Sequence, residues 1–228
     1  MSRSTAPAIG TRRSMLERLR VLPVVFTGAD VMRLFGWSPQ HATEQLIRWK
    51  RIEAVRALGG RSDLYFNLIC DPAWDRHLPV AIARAMPSAV VTGATPLHTA
   101  GWVTQRPRVL DLAVLRRSPA FTLDTALVHP RNAVWYRAVQ PGIDRSGAAL
   151  LHLSAPWALA DSLLDSGLWA PDPDELYCES DATNVLAFGE ALVALAPAYA
   201  RTVARPTAAG NMERVYTEAW EALRRVEG

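Results

Sequence analysis

The 228-residue chain has a single lysine, Lys50, against 24 arginines, and only two cysteines, Cys70 and Cys178, which form no CxxC pair. So few thiols argue against a disulfide scaffold, and they predict two buried thiols rather than a bridge. Arginine suits bidentate contacts to phosphate and guanine, but a preference spread over the whole chain reads as coding bias and marks no one site. Signatures of catalysis are also lacking: there is no HExxH, no GxSxG, no GxxxxGK[ST] and no GxGxxG. The five histidines, His41, His77, His98, His129 and His152, show no paired metal spacing, so each reads as a structural or surface imidazole. Asp111 and Asp124 with Glu190 lack the short acid and lysine spacing of a metal-dependent nuclease. The expectation is a protein that is not an enzyme and takes no metal and no cofactor.

Long hydrophobic runs are missing too. Met1 to Arg13 has no apolar stretch of signal-peptide length, and the most apolar later stretch, Ala191 to Ala204, is too short to span a bilayer and holds Pro197 and Arg201. A soluble, cytoplasmic protein with no membrane partner is expected. There are no internal repeats and no low-complexity tract.

What is present is an ordinary globular balance, 50% hydrophobic and 21% charged, in a length that allows one large domain or two small ones. The net charge of +3 hides a division: residues 1–150 carry 20 basic and 10 acidic side chains, residues 151–228 carry 5 and 12. Such a split points to a polyanion-facing end and a different tail.

The first seventy residues have a readable order. Ser14 to Val21 spaces Met15, Leu16, Leu19 and Val21 as a short helix. Thr27 caps a second, Gly28 to Phe35, which Gly36 stops. Ser38 and Pro39 open a third helix running to about Lys50. On a wheel Ala42, Leu46 and Trp49 share one side, and Gln40, His41, Glu44, Arg48 and Arg51 the other, with Thr43 and Lys50 on the flank. Arg51 to Leu58 and Asp63 to Leu68 read as two strands around the turn Gly59-Gly60-Arg61-Ser62. This is the order of a winged helix-turn-helix, a DNA-binding domain over residues 1–70 with 11 basic and 5 acidic side chains.

A helix lying in the major groove needs long donors and acceptors on its outward face. Gln40, His41, Thr43, Glu44 and Arg48 are residue types that read base edges. Arg12, Arg13, Lys50, Arg51, Arg56 and Arg61 are then the expected phosphate contacts, with Arg61 at the wing tip. Arginine runs are ordinarily solvated faces, and it is the combination with the helix order that favours double-stranded DNA. Helix-turn-helix units also dock proteins, and an exposed Trp37 or Ile47 would serve that alternative. The expectation is that Trp37 packs in the turn and Ile47 covers the wing.

Residues 71–228 read as a mixed α+β domain ending in helices, so the fold class expected for the chain is α+β. A helix at Leu78 to Met86 is followed by a short run at Ala89 to Val91 and a helix capped at Thr95 over Leu97 to Gly101. Strands follow near Arg108 to Leu115, Phe121 to Leu127, Val134 to Val139 and Ala148 to Leu153. A helix from Ser154 or Ala155 is ended by Gly167. Trp169 to Asp181, with Pro171, Pro173 and five acids, reads as a surface loop or linker. Helices at about Ala182 to Ala196 and Asn211 to Val226 close the chain. Trp102, Trp135 and Tyr136 read as core or interface residues.

Within that second part, Leu78-Pro79, Ala85-Met86-Pro87-Ser88-Ala89 and above all Leu97-His98 with Gly101-Trp102 form a pattern. With the winged helix before it and Leu153-Ser154-Ala155-Pro156-Trp157 after it, the chain resembles the AbiEi antitoxins of type IV toxin-antitoxin systems over about Thr11 to Leu168. Pro96 departs from the family's small residue. The resemblance implies an N-terminal winged helix that binds inverted repeats in its own promoter and a C-terminal domain that neutralises the toxin. It also implies a nucleotidyltransferase-like toxin as functional partner, without a stable complex. The chain is thus expected to be a DNA-binding transcriptional repressor and antitoxin, with a protein-docking winged helix as the alternative.

Overall fold

A computed structural model describes residues 14–115, 123–178, 182–203 and 211–224. The architecture is α+β and divides into two compact units, one of residues 14–58 and 62–81, the other of residues 59–61 and the described residues from 82 onward.

In the first unit, helix α1 (Met15–Val21) starts at Ser14, whose hydroxyl accepts from Glu17 N while the Glu17 carboxylate accepts from Ser14 N at 2.6 Å. Strand β1 (Val25–Thr27) runs into α2 (Gly28–Phe35) through a second reciprocal cap between Thr27 and Asp30. Gly36, in the left-handed conformation at φ 64°, ends α2. Ser38 caps α3 (Pro39–Arg51) with Pro39 in its first turn. Strands β2 (Val55–Ala57) and β3 (Leu64–Asn67) pair antiparallel, and β1 joins β3 on its other edge, giving the order β1-β3-β2. Strand β1 leaves no sign in the sequence, because three residues are too few to show alternation; the pairing of Val25 with Phe66 is what makes them a strand. Leu19, Phe26, Val31, Leu46, Trp49 and Val55 form the core. Asn67, fully buried, ties α1 to the sheet by donating to Leu19 O at 2.6 Å. A short 3-10 turn (Trp74–His77) and α4 (Leu78–Ala85) follow, and the boundary between the units falls within α4.

The second unit is built on a five-stranded mixed sheet of β4 (Val90–Thr92), β5 (Leu110–Leu115), β6 (Ala126–Arg131), β7 (Ile143–Asp144) and β8 (Leu151–Leu153), in the order β6-β5-β4-β8-β7. Pairs β5–β6 and β4–β8 are parallel, the other two antiparallel. Helix α5 (Ala94–Thr99) follows β4 and α6 (Ala133–Ala138) follows β6. Helix α7 (Ala155–Leu164) is buried at every residue, Asp161 and Ser162 included, and packs against α8 (Ala182–Leu195) and α9 (Met212–Arg224).

Several sequence expectations are corrected here. Val134 to Val139 is no strand: the Asn132 side chain caps α6 by accepting from Trp135 N at 2.9 Å, and Trp135 and Val139, one helical turn apart, are both buried. Helix α5 starts after Gly93, not at Thr95, whose hydroxyl is buried without a hydrogen-bond partner. Trp169 to Asp181 is not a free linker, within its described part: Leu176 is in the core, Tyr177 N donates to Trp102 O, and Tyr216 OH donates to Pro171 O. Of the strand expected at Phe121 to Leu127, residues 121 and 122 lie outside the described residues and pairing with β5 begins at Ala126. Both cysteines are free, as thiols, but Cys70 is exposed and Cys178 half-buried. Burial, aided by Glu213, raises the Cys178 thiol above its ordinary pKa. A disulfide-exchange reagent at pH 8 is therefore expected to label Cys70 in a fast phase and Cys178 in a slow one; equal rates would contradict the burial.

Among the described residues one stretch, Ala182–Tyr199, is long and apolar enough to cross a membrane by length and composition. Its Val185, Phe188, Leu192 and Leu195 are instead buried in the core of the second unit, a pattern that a core helix of a soluble fold also gives.

Around Asp161 on α7 lies a buried polar network. The carboxylate, fully buried, accepts from Thr92 Oγ1 at 2.7 Å, from Trp135 Nε1 at 2.6 Å and from the Tyr199 hydroxyl. Arg131 Nη2 stands 3.6 Å from Asp161 and 2.6 Å from Asp165. Burial works against the Arg131 charge, but the carboxylates of Asp161 and Asp165 outweigh it and hold the guanidinium more firmly protonated than usual. Burial and the neighbouring Asp161 push the Tyr199 phenol far above its ordinary range, so it remains a donor.

On β8, burial lowers the His152 pKa below 6.5, against a weaker opposing pull from Asp144. A histidine less basic folded than unfolded gives stability that is full above the unfolded pKa and is lost as pH falls from about 6.5 toward the lower folded value. Thermal stability is expected to decline over that window, and His152→Gln to flatten the decline; an unchanged pH profile in the variant would contradict this assignment.

Candidate nucleic-acid interface

Helix α3 buries Ala42, Leu46 and Trp49, one face of its 3.6-residue period, which forces the other face outward. Gln40, Glu44, Arg48 and Arg51 are all exposed and fall on that outward face, while Thr43 and Lys50 are exposed on its flank. Gln40 Nε2 donates to Glu44 Oε1 at 3.1 Å, and Thr43 Oγ1 donates back to Pro39 O at 2.8 Å. His41 is half-buried. Its ring meets Trp37 edge-on at 4.7 Å and stands 4.0 Å from Glu44, so it is the most constrained of the expected base-reading residues.

Trp37 packs in the turn, as expected, between Phe35, His41 and Trp49. Ile47 is only partly covered. It is 51% exposed, beside Thr43 and Lys50 at a shallow cavity of about 150 Å³ between α2, α3 and β3. The signal for this was present in the sequence, since Ile47 lies two helical turns from Gln40 and so on the same outward side.

The other basic residues are held differently. Arg56, on β2, is exposed and stacks its guanidinium over the Trp74 ring at 4.1 Å, which fixes the plane while leaving the N–H edges open. Arg61 is exposed in the β2–β3 turn with φ 63°, the left-handed region that a non-glycine residue rarely adopts. Arg12 and Arg13 lie outside the described residues.

Two positioning contacts were not readable from the sequence. Asp63, at the foot of β3, accepts from Gly28 N at 3.2 Å and so links the hairpin to the start of α2. Arg18 of α1 lies 5.1 Å from the Trp37 ring centre, adding a cation beside the turn. Both depend on residues brought together from distant parts of the chain, for which spacing offers no sign.

No family model and no curated protein matches the chain. Among solved structures it is similar to the crystal structure of the RV2827C protein from Mycobacterium tuberculosis, at 17% identity over 92% of each chain, with a TM-score of 0.48.

Proposed function

We propose that this protein is a DNA-binding transcriptional regulator that reads its operator with α3 and serves as the antitoxin of a type IV toxin-antitoxin pair. The observation that carries the DNA-binding half is the exposed polar and basic face of α3, presented after α2 and a tight turn and followed by the β2–β3 hairpin. In this reading the N-terminal unit is a winged helix-turn-helix. Gln40, His41, Thr43, Glu44 and Arg48 face base edges, and Lys50, Arg51, Arg56, Arg61, Arg12 and Arg13 face phosphates. Repression is steric, by occupation of a promoter repeat, and requires no chemistry. The antitoxin half rests on the AbiEi-like run through Leu97-His98 and Gly101-Trp102, and its functional partner is a nucleotidyltransferase-like toxin.

The test is a gel shift with the DNA upstream of the protein's own gene against a random duplex of equal length. Specific binding at about 10⁻⁸ M or tighter, with random DNA at least ~10³-fold weaker, is expected. Equal affinity for both would sink the regulator. Coexpression with a neighbouring nucleotidyltransferase-like gene tests the other half: growth that is not restored removes the antitoxin role.

A second reading, a protein-docking winged helix, draws on the exposure of Ile47 and Ile52, at 51% and 50%. Failure of every duplex to shift, at low salt, would favour it.

Residue roles within α3 and the turn separate by two substitutions. Arg48→Ala is expected to cost about 1–3 kcal/mol on the operator and to relax preference at one base position. Arg61→Ala is expected to weaken all duplexes alike and to lower the salt slope by about 1, with no added backbone strain because alanine and arginine share the cost of φ 63°. Identical losses on specific and random DNA from both changes would contradict these roles.

A further inference from the structure

We propose that the second unit binds a nucleoside monophosphate in a cavity of about 480 Å³ whose walls include Arg106, Arg108, Asp111 and Trp169. The volume lies in the range of about 300–1,000 Å³ common to small-molecule sites. Three kinds of group converge there, and each selects a different part of a ligand.

Arg106 and Arg108, either side of Pro107, are exposed and make no ion pair or hydrogen bond with any described residue. Two guanidinium forks with no partner among the described residues, both lining the cavity, match the oxygens of a phosphate. Trp169 is a large ring that folding has left 36% exposed. It offers a stacking platform for a planar base, a contact that accepts any base because each has a π-face.

Asp111 is of the opposite character. It is 9% exposed, and its Oδ1 stands 2.8 Å from His129 Nε2. Gly93, at φ 66°, lies so close that a Cβ there would stand 2.6 Å from Asp111 Oδ2, so the backbone itself braces the carboxylate. A carboxylate only accepts hydrogen bonds, so the ligand group that meets it is a donor such as a sugar hydroxyl. Phosphate, planar ring and hydroxyl donor together describe a nucleotide. Among the described residues a single exposed ring lines the cavity, whereas a nucleic-acid strand needs a succession of platforms, which favours the free mononucleotide. This site lies wholly within the second unit and is independent of DNA binding by α3.

Isothermal titration of the full chain with AMP, GMP, CMP and UMP tests it, with inorganic phosphate, adenosine and a single-stranded hexanucleotide as further arms. At least one mononucleotide is expected to bind with submillimolar affinity, and phosphate or adenosine alone at least ~10-fold more weakly, because each holds only part of the contacts. The double variant Arg106→Ala/Arg108→Ala is expected to weaken binding ~10-fold or more. Trp169→Leu should weaken it ~5-fold or more, and Trp169→Tyr should restore most of the loss. Unchanged thermal melting of these surface variants separates lost contacts from lost fold. The proposal is overturned if no mononucleotide binds, if phosphate alone binds as tightly, if the hexanucleotide binds in preference, or if the folded variants bind like the parent.

Discussion

Replacing Asp161 with alanine is expected to lower the stability of the second unit by about 3–5 kcal/mol, the cost of breaking a buried charged network from one side. Four groups converge on this carboxylate: the Thr92 hydroxyl, the Trp135 indole N–H, the Tyr199 hydroxyl and the Arg131 guanidinium. Removing it strands the buried Thr92 hydroxyl and Trp135 N–H and the half-buried Tyr199 hydroxyl, and leaves Arg131 with Asp165 alone. For a unit of this size the loss corresponds to a fall in Tm of roughly 6–20 °C. The polar character of the network can be tested separately. If the penalty comes from stranded donors rather than from lost charge, Asp161→Asn, which keeps one acceptor oxygen in place, should cost less stability than Asp161→Ala. A single-variant loss under about 1 kcal/mol would show that the network contributes little.

Affinity for double-stranded DNA is expected to fall about 10³-fold between 50 and 200 mM salt, if the proposed set of about six cations neutralises six phosphates at a log-log slope near −0.9 each. Lys50 and Arg51 at the end of α3, Arg56 on β2 and Arg61 in the turn supply four of these from residues that are exposed. Fluorescence anisotropy over a salt series reads the slope directly. The stack of Arg56 on Trp74 sharpens the expectation: Trp74→Leu should reduce the slope by less than Arg56→Ala does, because it frees the guanidinium without removing the charge. A slope shallower than about −2 would leave no room for the proposed phosphate contacts.

The parts of the fold that were legible in the sequence are those whose boundaries are set by adjacent residues. Helix α2 could be bounded because Thr27 satisfies its first amides and Gly36 takes the left-handed turn at its end, both within the same ten residues. Helix α3 could be oriented because Ala42, Leu46 and Trp49 repeat at its own period. The exposed face that follows from that repeat is the candidate site, so most of the site was legible as well. Ile47, being apolar, is expected to be covered, but its angle on the helix points it outward and it is 51% exposed.

In the second unit local signals ran out. Val134 to Val139 reads as a strand, yet it is a helix that Asn132 caps and from which Trp135 donates to Asp161, 26 residues further on. The sequence by itself determined the helix order of the first unit, the outward chemistry of α3 and the α+β class, because caps, turn residues and periodicity act over a few residues. The tertiary structure alone decided that Asp161 gathers Thr92, Trp135, Tyr199 and Arg131, that Asp63 anchors the hairpin to α2, and that Arg106, Arg108 and Trp169 face one cavity. These are meetings of side chains far apart in the chain, and they depend on sheet order and core packing, which residue spacing does not encode.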